Sequence, residues 1–228
     1  MNLTLFGQSN DYVAKSMCGG RIVIRPDKDF TGSAADNVII GNTCLYGANG
    51  GQCFASGTAG ERLAVRNSGA EVVVEGSGDH CCEYMTGGRV VVLGQVGRNV
   101  GAGMTGGLAY ILDESDNFLE KMSGDVRVQK IETHAATEEL ISLITQHANL
   151  TDSETAKNVL ENMEEYLSKF WQVIPPSEDN TNFTHRDIEL EQVSASNSAY
   201  MDQLNLAAKD IVLNAQSKFR GAVVVMSA

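Results

Sequence analysis

The densest run of chemically capable side chains is Asp79-His80-Cys81-Cys82-Glu83, where two carboxylates, an imidazole and two thiols stand side by side. Such a run could ligate a metal through thiolate and imidazole donors, or set a cysteine nucleophile beside a base. Gly101-x-Gly103-x-x-Gly106 has the spacing of a dinucleotide-binding turn. That chemistry needs a strand leading in and a helix leading out, so that the helix N-terminus meets the pyrophosphate. Asp113-Glu114-x-Asp116 offers carboxylates to a cation, and Met17, Met85 and Met104 offer soft thioethers. No Ser-His-Asp arrangement and no paired-carboxylate site stands out.

All of these residues except Asp116 fall inside a repeat, and the repeat decides how they are read. Residues 41–115 divide into GNTCLYGANGGQCFASGTA, GERLAVRNSGAEVVVEGS, GDHCCEYMTGGRVVVLGQV and GRNVGAGMTGGLAYILDES, of 19, 18, 19 and 19 residues. Each block opens with glycine (Gly41, Gly60, Gly78, Gly97) and has another at its tenth position (Gly50, Gly69, Gly87, Gly106). A fixed period near twenty residues marks a solenoid, each coil stacking on the last. Residues 10–26, NDYVAKSMCGGRIVIRP, keep the register with Gly19 at position ten. The extra residues between Pro26 and Gly41 read as a loop pushed out of one coil. Residues 1–9 match only the second half of a coil, so the pattern is entered mid-coil.

The strand half of each coil fixes which side chains point inward. Position thirteen holds Leu3, Ile22, Cys53, Val72, Val90 and Ala109; position fifteen holds Leu5, Ile24, Ala55, Val74, Val92 and Ile111. All are apolar, whereas position twelve holds Asn2, Arg21, Gln52, Glu71, Arg89 and Leu108. Successive strand residues point to opposite faces, so thirteen and fifteen line an apolar interior, stacked at about 4.8 Å per coil. Position fourteen (Thr4, Val23, Phe54, Val73, Val91, Tyr110) faces outward yet is mostly apolar. A solvated face is not built this way, so either helices of this chain or another domain cover it. The glycines serve corners, where φ is positive or backbones pass closely.

Read by column, the chemical runs lose their force. Cys81 shares its position with Val13, Cys44, Leu63 and Val100, and Cys82 with Ala14, Leu45, Ala64 and Gly101. Packing is the stronger reading of both, because free cysteine behaves as a small buried hydrophobe. His80 shares a column with Tyr12, Thr43, Arg62 and Asn99, a solvated one. The glycine motif runs into LAYIL, a strand by register, which removes the helix that a phosphate site requires. The methionines form a stacked core column, and the acidic run is solvated surface. No catalytic, cofactor-binding or metal-binding residue is assigned.

The 228 residues carry a net charge of −12. An acidic chain without a basic stripe is a poor partner for nucleic acid or anionic membrane. There is no apolar run of membrane-spanning length and no signal peptide at Met1. Five cysteines (Cys18, Cys44, Cys53, Cys81, Cys82) with no CxxC pair point to reduced thiols and a cytoplasmic setting. Of 23 glycines, 22 lie at or before Gly124, which ends the solenoid near residue 131. Leu140, Ile141, Leu143, Ile144 and His147 then form one helical stripe, ending around Asn149. Thr151 with Glu154 resembles a capping box that opens a second helix, carrying Ala156, Val159, Leu160, Met163, Leu167 and Phe170 as far as Pro175-Pro176. The expected organisation is a β-helix over 1–131, a helical pair packed on it over 132–176, and a polar linker with a short amphipathic helix over 177–228.

The literal phrases NDYVAKSMCGGRIVIRP, VIIGNTCLYGANGGQCFASGTAGERLAVRNSGA and VVVEGSGDHCCEYMTGGRVVVLGQVGRNVGAGMTGGLAYILDE, with the segment to WQVIPP, closely resemble the C-terminal GXGXG domain of the glutamate synthase large subunit. The likeness covers about residues 3–176. It implies a mainly β fold, a right-handed parallel β-helix of single-stranded coils followed by an α-helical segment. It also implies a scaffolding role in a multidomain oxidoreductase that makes glutamate from glutamine and 2-oxoglutarate. In that family the nucleophilic cysteine, FMN and the 3Fe-4S cluster belong to other domains, so the resemblance assigns no cofactor to this chain. The implied partners are the glutaminase, central and FMN domains. Entry in mid-coil leaves a raw strand edge, from which self-association through the N-terminal end is expected. Two other readings stand beside this one: a stand-alone subunit of a split glutamate or N-methylglutamate synthase, and a β-helix subunit of a formylmethanofuran dehydrogenase-like oxidoreductase.

Overall fold

The fold is that of a computed structural model, which describes residues 1–175. The expected linker and amphipathic helix of residues 177–228 lie outside the described residues. Seven strands come first: β1 (Asn2–Phe6), β2 (Cys18–Arg25), β3 (Val38–Ile40), β4 (Gly50–Ala59), β5 (Ser68–Ser77), β6 (Thr86–Val92) and β7 (Gly106–Leu112). A 3₁₀ turn at Phe118–Glu120 leads to β8 (Arg127–Gln129), then α1 (His134–Thr151), α2 (Glu154–Glu161), α3 (Met163–Leu167) and β9 (Phe170–Ile174). The sheet runs β1-β2-β4-β5-β6-β7-β9-β8, with β3 set beside β4. Pairing is parallel from β1 to β7 and antiparallel between β7, β9 and β8.

The columns of the solenoid appear as the register of its strands. Leu3 pairs with Ile22, Ile22 with Cys53, Cys53 with Val72, Val72 with Val90 and Val90 with Ala109. Ile24, Ala55, Val74, Val92 and Ile111 join the same interior core. Phe54, Val73, Val91 and Tyr110 belong to a second core, made with Leu140, Ile144, Val159 and Leu160 of the helices. The helices of this chain therefore cover the outward apolar column. Polar groups of column twelve tie down the rim: Arg21 Nε donates to Gln52 Oε1 at 2.8 Å, and Gln52 Nε2 to Glu71 Oε2 at 2.7 Å and to Gln146 Oε1 of α1 at 3.2 Å.

The turn half of each coil carries a feature the sequence did not announce. Twelve of the fourteen non-glycine residues at positive φ fall at positions three, five and seven of the coils, among them Leu45 (57°), Arg66 (56°) and Cys82 (61°). Each costs roughly 1–2 kcal/mol outside such a lattice. What holds them is bonding between coils: Leu45 N donates to Val13 O at 2.7 Å, Ala64 N to Cys44 O at 2.9 Å and Cys82 N to Leu63 O at 2.9 Å. The tenth-position glycines serve the other purpose expected of corners, close approach. A Cβ on Gly87 would stand 2.3 Å from Ser68 O, and one on Gly106 2.2 Å from Thr86 O.

The helical segment departs from expectation at three points. α1 runs to Thr151, and the chain reverses at Asp152 (φ 62°), so the second helix is capped by Ser153 rather than Thr151. That helix breaks at Asn162 into α2 and α3. Phe170 belongs to a strand, because FWQVI finds an antiparallel partner in β7. Phe118, Val126 and Val173 join the interior core at this end of the solenoid. At the other end all five residues of β1 are exposed. No helix among the described residues is long and apolar enough to cross a membrane.

Candidate functional site

The alternation of the turn half sends the members of the Asp79–Glu83 run in different directions. Cys81 and Cys82 are fully buried in the interior core, with their sulfurs 3.6 Å apart. Contact with the Cys81 sulfur and burial push the Cys82 thiol well up. Burial also pushes Cys44 up to about 11 and Cys53 up to about 12. These are packed thiols, not poised thiolates. His80 is partly exposed, its Nδ1 3.6 Å from Glu83 Oε1, and Glu83 Oε2 is 3.7 Å from Arg62 Nη2 of the neighbouring coil. Asp79 accepts Arg98 N at 2.8 Å and Arg98 Nη2 at 2.9 Å, and these bonds hold its carboxyl below the usual range. Thiols, imidazole and carboxylates do not converge.

The glycine motif likewise leads into strand β7, and its amides are engaged. Gly101 N donates to Cys81 O at 2.9 Å, and Gly103 N to Asp125 Oδ2 at 3.1 Å. Met85 and Met104 lie in the interior core, with Met17 packed against it. Asp113 is buried, contrary to its reading as solvated surface. Its two oxygens accept Asn117 N and Phe118 N, both at 3.1 Å, so it folds the loop that starts the 3₁₀ turn.

The strongest polar cluster was missed from the sequence. Glu75 stands on β5, on the face turned toward the helices, and is buried together with His147 of α1. Ser56 Oγ of β4 donates to Glu75 Oε1 at 2.9 Å, and Ser153 Oγ to the same oxygen at 2.5 Å. Thr155 Oγ1 reaches Glu75 Oε2 at 3.4 Å. His147 Nε2 lies 3.5 Å from Oε1, an ion-pair distance rather than a made hydrogen bond, and its ring tilts against Phe54 with centroids 6.2 Å apart. Burial raises the Glu75 carboxyl. The His147 imidazole and the hydroxyls of Ser153 and Ser56 outweigh that and hold it below the ordinary range.

Chemically this is a clamp. The serine hydroxyls donate to the carboxylate and not to the imidazole, so no hydroxyl is set up to lose its proton to a base as nucleophilic catalysis requires. Ser153 Oγ also accepts Ala156 N at 3.0 Å, the cap of α2, so one hydroxyl joins the helix start to the solenoid. A second clamp holds the start of α1: Arg89 Nε donates to Glu139 Oε1 at 2.6 Å, and Tyr110 Oη to Glu139 Oε2 at 2.5 Å. Burial, then the Glu139 charge, pushes the Tyr110 phenol far up. Beside Glu75 opens a cleft of about 820 Å³ whose charged lining (Asp36, Glu61, Glu75, Glu114) is entirely acidic.

Two signals could have pointed to the cluster. Glu75 is the one carboxylate at a position where the sister coils have Arg25, Ser56, Leu93 and Leu112, and His147 is the polar member of an apolar stripe. Among the described residues no group of three or more His, Cys, Asp or Glu could hold a metal ion, and the cysteines do not form the ligand set of an iron–sulfur cluster.

The GXGXG motif family matches residues 1–176. Ferredoxin-dependent glutamate synthase from Pyropia yezoensis is 55% identical over 196 residues, covering 86% of this chain and 13% of that protein. Ferredoxin-dependent glutamate synthase 2 from Synechocystis sp. is 56% identical over 191 residues, covering 83% of this chain and 12% of that protein. A chloroplastic/mitochondrial form from Arabidopsis thaliana is 57% identical over 182 residues, 79% of this chain and 11% of its own length. The chain thus spans 11–13% of the length of these relatives.

Proposed function

This chain belongs to the GXGXG motif family, and from that membership we infer that it is an architectural β-helix of a glutamate synthase, organising the glutaminase and flavin domains without carrying out a chemical step itself. The observation that carries this reading is the identity of 55–57% to proteins of which the matched part makes up only 11–13%. A piece so placed in a longer enzyme works through its surfaces. The filled interior around Cys81 and Cys82, and the mutual saturation of Glu75, Ser56 and Ser153, support the same reading.

In this proposal the parent enzyme converts glutamine and 2-oxoglutarate to two glutamates, and ferredoxin, named in the relatives, supplies the electrons. FMN and a 3Fe-4S cluster belong to its other domains, and this chain contributes no catalytic, cofactor-binding or metal-binding residue. Residues 1–131 act as the β-helix and 132–176 as the helical layer fixed on it. The partners are the glutaminase, central and FMN domains in a cytoplasmic setting. The test is biochemical: the purified 228-residue chain is assayed for glutamine hydrolysis and for flavin and iron–sulfur absorbance. The expected result is none of the three. Turnover or a stoichiometric chromophore in the chain alone overturns the scaffold reading.

A further inference from the structure

We propose that the acidic cleft between the solenoid corner and α2 is the docking site of this chain's own cationic segment, residues 211–228. The proposal stands apart from the glutamate synthase assignment, and no activity enters its test.

The cleft has the size and the walls of a binding site. Its volume of about 820 Å³ falls within the range of pockets that enclose a ligand or several side chains. The position-one glycines of successive coils, Gly60, Gly78 and Gly97, line one side of it, and Asn158 and Val159 of α2 line the other. An occupant therefore touches both layers at once. Val38 borders the cleft at 56% exposure, and Leu93 and Leu112 also line it, so part of its surface is apolar.

Its electrostatics select a cation. Asp36, Glu61 and Glu114 line it beside the buried Glu75, and the lining contains no lysine or arginine. Among the described residues none of these three carboxylates is ion-paired. Lys169, whose charge is felt at Glu114, is already bonded to Glu165 at 2.6 Å. A cleft lined by one sign of charge and walled by protein concentrates the opposite sign.

The chain itself supplies a ligand of that chemistry. Asp210 is its last carboxylate side chain, and residues 211–228, IVLNAQSKFRGAVVVMSA, carry Lys218 and Arg220 as their only charged side chains, on either side of Phe219. Two cations in an apolar context match carboxylates set among valines and leucines. A tethered segment also acts at an effective concentration near millimolar, so a modest contact is enough. Reach does not limit it. The stretch between Pro175 and Ile211 spans on the order of 100 Å when extended, against roughly 40 Å across a domain of this size.

Docking joins α2 to the solenoid beside the clamp of Glu75 and Ser153, so it slows the local opening of that helix. Part of its strength comes from exposed charges, and salt weakens that part.

The test is hydrogen exchange of the full chain at low ionic strength, native against a Lys218→Gln/Arg220→Gln variant. The expected result is exchange several-fold faster in α2 of the variant, with β5 and β6 unchanged, and a difference that shrinks in about 0.5 M salt. Crosslinking locates the segment. Val38→Cys with Phe219→Cys, made in Cys18→Ser to remove the exposed thiol, is expected to give an intramolecular disulfide on mild oxidation at high dilution. Equal α2 exchange in the native chain and the charge variant overturns the proposal. So does the absence of a crosslink, or a crosslink formed only between copies, which would make the occupant a second chain.

Discussion

Ser153 Oγ lies 2.5 Å from Glu75 Oε1 and at the same time accepts the amide of Ala156 at 3.0 Å. A hydroxyl that donates to a carboxylate on the solenoid and accepts from the first turn of a helix belongs to both layers. The residue before it, Asp152, is held at φ 62° and bonds to Arg25 Nη2 at 3.2 Å and Lys157 Nζ at 2.6 Å, so the whole reversal between α1 and α2 is pinned.

Ser153→Ala removes the cap and leaves one oxygen of the buried Glu75 short of a donor. A lost cap costs about 1 kcal/mol and a lost bond to a charged group about 1.5–3, giving an expected loss of roughly 2–4 kcal/mol. Ser56→Ala loses only the second of these, so it costs less. Urea denaturation of the two variants ranks them. Equal losses contradict the double role of Ser153.

Glu75 also sets an acid dependence. Its folded carboxyl is held below the ordinary range by His147 and the two serines, against burial. A depressed folded value means that the stabilisation is complete above the unfolded value of about 4.3 and is lost as pH falls through the lower folded value. Asp79 and Asp152 are depressed as well and add their own slopes. The expected outcome is that Glu75→Gln is less stable at neutral pH and loses less on going from pH 6 to pH 3 than the native chain does. Parallel acid profiles for the two would remove Glu75 from the account.

The parts legible in the sequence are those that stacking repeats. Val72 and Val90 had to fall on one column, because a coil displaced by one residue would turn its valines to the other face. What lay outside that logic was illegible for physical reasons. The left-handed backbone of Leu45, Arg66 and Cys82 is imposed by hydrogen bonds from neighbouring coils, and nothing in those residue types encodes it. Glu75 and His147 meet only because α1 folds back over β5, and no local spacing reports a contact between layers. Phe170 fits the helical period of Leu167, yet a strand partner waiting on β7 decides its state. Position fourteen showed that something covers the sheet, and only the helices' packing on it revealed what.

The cysteine reading makes a direct chemical prediction. Cys18 is exposed, and Cys44, Cys53, Cys81 and Cys82 are buried. A small alkylating reagent is expected to label one thiol in the native chain, Cys18, and five in denaturant. Cys81→Val, which keeps an apolar side chain of similar size in its column, is expected to cost under about 1.5 kcal/mol, whereas Cys81→Ser buries a hydroxyl among apolar neighbours and costs about 1–3. Rapid native labelling of Cys81 or Cys82, or a serine variant as stable as the valine one, would return these residues to chemistry.

Close approach and conformational freedom at glycine separate cleanly in this fold. Gly106 has no positive φ, but an added Cβ would stand 2.2 Å from Thr86 O, a backbone atom that cannot move without parting two coils. Gly124 has no positive φ either, and nothing lies within 4 Å of an added Cβ. Gly106→Ala should therefore cost several kcal/mol, in the range where core overpacking is diagnostic, while Gly124→Ala should stay within about 0.5 kcal/mol of the native chain. Thermal melts of the two variants decide it. A harmless Gly106→Ala would mean that the coils are not stacked at the spacing that makes the tenth-position glycine necessary, and the register that orders every other column would lose its anchor.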